Sequence, residues 1–215
     1  LVDDPQINAF AGPGGYIGVN TGLLLATETE SELASVVAHE IAHVTQNHLF
    51  RAFDEFSRLA GPAALLTLGA ALLGATVSGD AAVAAIAGIQ AGMAQAQLNF
   101  TRAHEEEADR EGIKILAEAD YDPRAMPVFF GRMAQATRLY QTNLPEFLRT
   151  HPVSSARIAE ARNRARDYPP VAGADTTSYG IARMRAIFRR TERTRSDTSF
   201  WSRTEKPGMS EWATR

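Results

Sequence analysis

The chain has 215 residues, 45% of them hydrophobic and 22% charged, with a formal net charge of −3. That is an ordinary globular composition, long enough for one domain with a real core and room for an appendage, and nothing in its charge draws it to nucleic acid. Cysteine is absent, which excludes disulfides and thiolate ligands, so any metal must be held by His and carboxylate.

Leu1-Val2-Asp3-Asp4-Pro5 has neither the basic n-region nor the apolar h-region of a secretory leader, so no signal peptide is expected in this stretch. Two short strands are predicted, Ile7–Ala11 and Tyr16–Val19, joined through Gly12-Pro13-Gly14-Gly15. Asn20-Thr21-Gly22 closes the second strand, and Leu23-Leu24-Leu25 leads into a long helix, Thr29 to Leu59, which Gly61-Pro62 breaks. Thr29 with Glu32 forms a capping box at its start. Two charge-free stretches follow, Leu59–Gly79 and Ala81–Thr101, separated by Asp80. The first is long enough to consider as a membrane span, but its Ala/Gly richness, Pro62 and missing basic flank favour a soluble helical hairpin. Most of that hairpin is expected to be ordinary core, with peripheral membrane contact through 59–101 as the functional alternative.

A helix from Ala94 to Ala119 ends at Asp120-Tyr121-Asp122-Pro123, and an amphipathic helix runs from Pro123 to Tyr140. A shorter one covers Val153 to Asp167, after Thr150-His151-Pro152. From Val171 the composition shifts to Thr, Ser and Arg, and residues 181–207 hold eight basic and three acidic side chains. That segment reads as a solvated linker or partner-binding tail. The division is thus 1–170 for the domain and 171–215 for the tail.

The most informative motif is His39-Glu40-Ile41-Ala42-His43 within an apolar helix. Residues four apart stack one turn above each other, so both imidazoles leave one face and suit two corners of a tetrahedral zinc site. Glu40 is placed beside the ion, where a general base belongs. A third protein ligand is needed. His48 lies five residues on, about 140° around a continuous helix, and is expected to point elsewhere. The metzincin pattern is excluded, because Gln46 and Leu49 stand where it needs Gly and His. Asp54 and Glu55 are expected to be surface charges.

Helical phase selects within Glu105-Glu106-Glu107. Glu105 shares a face with Ala108, Asp109, Gly112 and Leu116, whose small residues permit close helix approach. Glu106 aligns with Arg102 and Arg110, and Glu107 with Ala103, Glu111 and Lys114, both solvated faces. Glu105 is the predicted ligand, and Asp109, one turn on, can accept a hydrogen bond from the distal nitrogen of a ligating His.

His39-Glu40-Ile41-Ala42-His43 with Glu105-Glu106-Glu107-Ala108-Asp109 resembles the paired signature of the HtpX-like and CAAX-prenyl-protease zinc metallopeptidases. Asn8-Ala9-Phe10, Gly14-Gly15-Tyr16-Ile17, Thr150-His151-Pro152 and Arg157-Ile158 extend the likeness over roughly residues 1–170. Within that superfamily the chain is most similar to the BepA-like periplasmic proteases, although neither their N-terminal helices nor their tetratricopeptide repeats are seen in this sequence.

The resemblance implies a mostly helical α+β, zincin-like domain with a small sheet edge. It further implies one zinc ion on His39, His43 and Glu105, Asp109 behind them, and Glu40 as general base. His151 is implied to act at the site, as oxyanion donor or as a cap on the zinc. The implied substrates are unfolded or misassembled envelope proteins in the periplasm, near the outer-membrane assembly machinery, paired along the edge at Asn8–Ala11. Two rivals stay open: an integral-membrane protease of the same chemistry, and a chaperone or assembly factor with a latent protease site.

Overall fold

The computed structural model describes residues 1–12, 14–74, 79–139, 145–171 and 177–204. It is mostly helical. Two short strands, β1 (Ala9–Ala11) and β2 (Ile17–Val19), pair antiparallel with Ala9 opposite Val19 and Ala11 opposite Ile17. Gly14 and Gly15 carry the turn between them at φ 85° and 81°, a left-handed conformation that glycine adopts without steric cost. Pro13 of that turn lies outside the described residues.

After the sheet, a short helix α1 (Thr21–Ala26) follows in place of a simple strand closure, with the Leu23 N–H donating to the Asn20 carbonyl at 3.1 Å. Helix α2 (Glu30–Thr45) then opens on Thr29, whose side chain accepts from the Glu32 N–H at 3.2 Å. Glu32 reaches back to the N–H of Glu28, at 2.7 Å, one residue earlier than a standard capping box requires. Arg132 pairs with both Glu28 and Glu32, tying this end of α2 to a later helix.

The expected helix of Thr29 to Leu59 is in fact two. It ends at Thr45, Asn47 turns left-handed at φ 54°, and α3 (His48–Gly74) starts afresh. Asn tolerates this conformation better than most residues because its short side chain bonds locally. The predicted break at Gly61-Pro62 does not occur, and α3 runs through Pro62.

Helix α4 (Gly79–Glu118) is 40 residues long and packs along α3 at one end and α2 at the other. Gly112 permits the second contact: a Cβ there would lie 3.2 Å from both the Cα and the N of His39. Helices α5 (Ala125–Leu139), α6 (Glu146–Thr150) and α7 (Ser155–Ala165) complete the core. There Val36, Ile113, Met126, Phe129, Phe130 and Phe147 pack together. Tyr140, the predicted end of α5, lies outside the described residues.

The hairpin of 59–101 is not core. Leu65, Leu66, Leu68, Leu72, Val83 and Leu98 are all more than half exposed, and Ala63 is its buried exception among hydrophobic side chains in the described residues. By length and composition α4 could cross a membrane, and none of its apolar window is buried within the protein. Within the segment from Val171 onward, residues Thr177–Thr204 form a helix, α8. Its Tyr179 and Ala186 pack on Leu24, and the Tyr179 hydroxyl meets Thr27 at 3.0 Å.

Candidate metal centre

The site is built where α2 and α4 touch. His39 and His43 leave one face of α2, as four-residue spacing dictates, and Glu105 meets them from α4. His39 Nε2 stands 3.0 Å from His43 Nε2 and 3.4 Å from Glu105 Oε2, while His43 Nε2 is 3.3 Å from Glu105 Oε1. His151, just after α6, brings Nδ1 to 3.3 Å from His39 Nε2 and 3.0 Å from Glu105 Oε1. The four donor atoms all lie within 4.8 Å of one another, and such a group could hold a metal ion. Donors about 2.0–2.1 Å from one tetrahedral centre stand about 3.3 Å apart, close to the 3.0–3.4 Å separations among these atoms given above.

His151 is held by its own short helix. Its N–H donates to Phe147 O at 2.7 Å, its ring stacks on Phe147, and the Phe147 N–H donates to Ile7 O at 3.0 Å. The N-terminal segment leading into β1 thereby fixes α6 and, through it, His151.

Glu40 lies on the same helix turn as the ligand pair but outside the convergent set. It is 1% exposed. Burial pushes its carboxyl pKa up, against the pull of His151, His39 and the Ala11 backbone. Oε1 is 3.4 Å from His151 Nε2 and makes no hydrogen bond among the described residues. A buried carboxylate oxygen without a hydrogen-bond partner, beside the ligand face, suits a base that works on a water.

Behind the donors, Asp109 Oδ1 stands 3.0 Å from His39 Nδ1. Arg157, from α7, grips the same carboxylate with Nε at 2.7 Å and a second N–H at 2.8 Å. Its remaining nitrogen lies 2.9 Å from Glu105 Oε2 and donates to Pro152 O at 2.7 Å, and the guanidinium sits 5.0 Å over the Phe130 ring.

Burial disfavours charge on Asp109, but Arg157 and His39 outweigh it and hold the carboxyl below its ordinary range. Glu105 is likewise driven far down by His151, His39 and His43 against burial. Burial also opposes a proton on His39, yet Asp109 and Glu105 raise it to about 9. For His43 burial dominates and lowers the pKa.

Of the residues predicted from sequence, His39, His43, Glu105 and His151 meet at one point, with Glu40 and Asp109 against them. Asp54 pairs with Arg58 at the surface, and Glu106 is exposed. Two residues depart from expectation. His48, expected to point away, turns back to 2.8 Å from His43 because the helix breaks at Asn47. Glu107, expected on a solvated face, pairs with His48 at 3.1 Å and Arg51 at 2.7 Å. Arg157 carries no local sign of its role beyond its place after His151-Pro152. An arginine in a polar helix usually stays in water.

A buried helix bearing His-Glu-x-x-His, completed by a glutamate from a second helix, defines a metallopeptidase-type centre. Residues 1–165 match the profile of peptidase family M48, and the chain belongs to that family. It is 44% identical to a beta-barrel assembly-enhancing protease of Yersinia pestis over 187 residues, 87% of this chain and 38% of that protein. The corresponding protein of Escherichia coli K12 is 41% identical over 87% of this chain and 38% of its own length. Human mitochondrial metalloendopeptidase OMA1 is 33% identical over 74% of this chain and 30% of its length. The chain therefore spans about two fifths of the bacterial relatives it matches.

Proposed function

We propose that this chain is a zinc endopeptidase domain acting on unfolded or misassembled proteins of the bacterial envelope, in support of outer-membrane protein assembly. The observation that carries it is the convergence of His39, His43 and Glu105 beside a buried Glu40 oxygen that makes no hydrogen bond among the described residues and faces His151 at 3.4 Å. The names and identities of the bacterial relatives support the substrate class and the periplasmic setting.

His39, His43 and Glu105 would hold the ion, which when bound acidifies a water and polarises the scissile carbonyl. Glu40 accepts the proton of the attacking water on Oε1 and passes it to the leaving amine. Burial raises its pKa, which is the direction that suits a carboxyl taking and returning a proton. Asp109 fixes the His39 ring so that Nε2 faces the ion. The strand β1 runs beside α2, near Glu40, and its edge at Asn8–Ala11, with Ala9 buried in this state, is where an extended substrate would pair through backbone hydrogen bonds.

The same geometry supports a capped resting state. His151 would stand as a fourth donor beside His39, His43 and Glu105, where a catalytic zinc site keeps a place for water. His151→Ala should therefore raise the initial rate of cleavage of an unfolded casein-like substrate, read by gel or fluorescence. A rate that stays level or falls contradicts the capping role. The exposed hairpin of α3 and α4 supports peripheral membrane contact as a second feature of the domain.

A further inference from the structure

The second ligand, His43, has its own support, separate from Asp109. His43 Nδ1 lies 2.8 Å from His48 Nδ1, and His48 Nε2 lies 3.1 Å from Glu107 Oε2. Arg51 donates to that same Glu107 oxygen at 2.7 Å. His48 is 3% exposed and lies flat on the ring of His104, with centroids 4.2 Å apart and planes 8° from parallel. Phe100 meets the His104 ring in turn, with centroids 4.0 Å apart.

Proton bookkeeping along this chain has one solution for a neutral His48. A carboxylate paired with arginine can only accept, so His48 Nε2 must donate to Glu107. The other nitrogen of a neutral imidazole is then an acceptor, so His48 Nδ1 must receive the proton on His43 Nδ1. His43 is left with its lone pair on Nε2, the atom that faces His39 and Glu105.

We propose that His48 is a positioning residue that sets the tautomer and ring angle of His43, with Glu107 and Arg51 setting His48 in turn. The two histidine ligands are then oriented by different devices, His39 by Asp109 and Arg157 and His43 by the His48–Glu107–Arg51 relay. The relay exists because the chain turns at Asn47: on an unbroken helix His48 would face away from His43. This inference rests on the zinc site proposed above.

The test compares His48→Asn with His48→Leu. Asparagine keeps a short acceptor near the position of Nδ1, whereas leucine keeps the bulk and removes the acceptor. Zinc affinity is measured by competition with a chromogenic chelator on the purified chain, alongside unfolding of the metal-free proteins. His48→Leu should bind zinc about 10- to 100-fold more weakly, as loss of a ligand's hydrogen-bond partner does. His48→Asn should stay close to the parent.

Long-range proton–nitrogen NMR of the zinc-loaded parent should show His43 protonated on Nδ1 and slow to exchange, with that protection lost in His48→Leu. Equal affinities in all three proteins overturn the inference. So do equal losses in both variants, which would make His48 a packing residue. Failure of the parent to bind zinc is a separate result, and it removes the metal reading itself.

Discussion

Glu40→Gln should reduce peptide-bond cleavage by at least about a hundredfold, and up to about ten-thousandfold, the range supplied by a positioned general base. The amide keeps the size of the side chain and cannot take a proton from water. Metal content should be unchanged, because Glu40 lies outside the convergent donor set of His39, His43, Glu105 and His151. Stability should not fall, since burial already penalises the charged carboxylate and the substitution removes that charge. Rate assays paired with metal analysis separate the two roles. A variant that loses zinc together with activity would mean that Glu40 is a ligand, and one that keeps full activity would remove it from the chemistry.

Arg157→Ala should have the largest effect on stability of any single change near the site. Asp109 is 4% exposed and both its oxygens are held by the guanidinium. Removing the guanidinium strips both of its bonds from a buried carboxylate and leaves only His39 beside it, at a cost of up to about 3–5 kcal/mol. Arg157 also lies over Phe130 and holds the Pro152 carbonyl beside His151. Its loss should therefore loosen the cap along with the core. Arg157→Lys keeps the charge but not the two-pronged grip, and should recover only part of the loss. Urea unfolding of the metal-free proteins reads these differences, and a loss below about 1 kcal/mol for Arg157→Ala, in the range of an exposed pair, would contradict them.

How far the site is legible in the sequence depends on whether its parts obey local periodicity. His39, Glu40 and His43 sit on one helix turn by spacing alone. Glu105 and Asp109 share a face in the same way, with Gly112 marking where α4 meets α2. His48 escapes such a reading, because its direction depends on a break at Gln46-Asn47 whose one local mark is Asn47, a weaker helix-end signal than Gly. Continuing the α2 period through that point turns a partner of His43 into a bystander. Glu107 is lost with it, since its partners His48 and Arg51 come from the segment that the break redirects.

Arg157 is hidden for a different reason: its burial comes from contacts with α4 and Phe130, distant in sequence. The hairpin of α3 and α4 departs in the opposite sense. An Ala/Leu-rich, charge-free run is normally buried, yet Leu65, Leu66, Leu68 and Leu72 face outward. Composition alone does not say what an apolar helix faces.

If a zinc ion held between α2 and α4 supports the hydrolysis, cleavage must follow the metal. The most direct test is cleavage of unfolded casein by the purified chain and by His151→Ala, each with and without a chelator, after zinc content has been measured. One zinc per chain is expected, with cleavage in both proteins, faster in the variant, and loss of activity with chelator that zinc restores. Cleavage that survives complete removal of the metal would contradict that dependence.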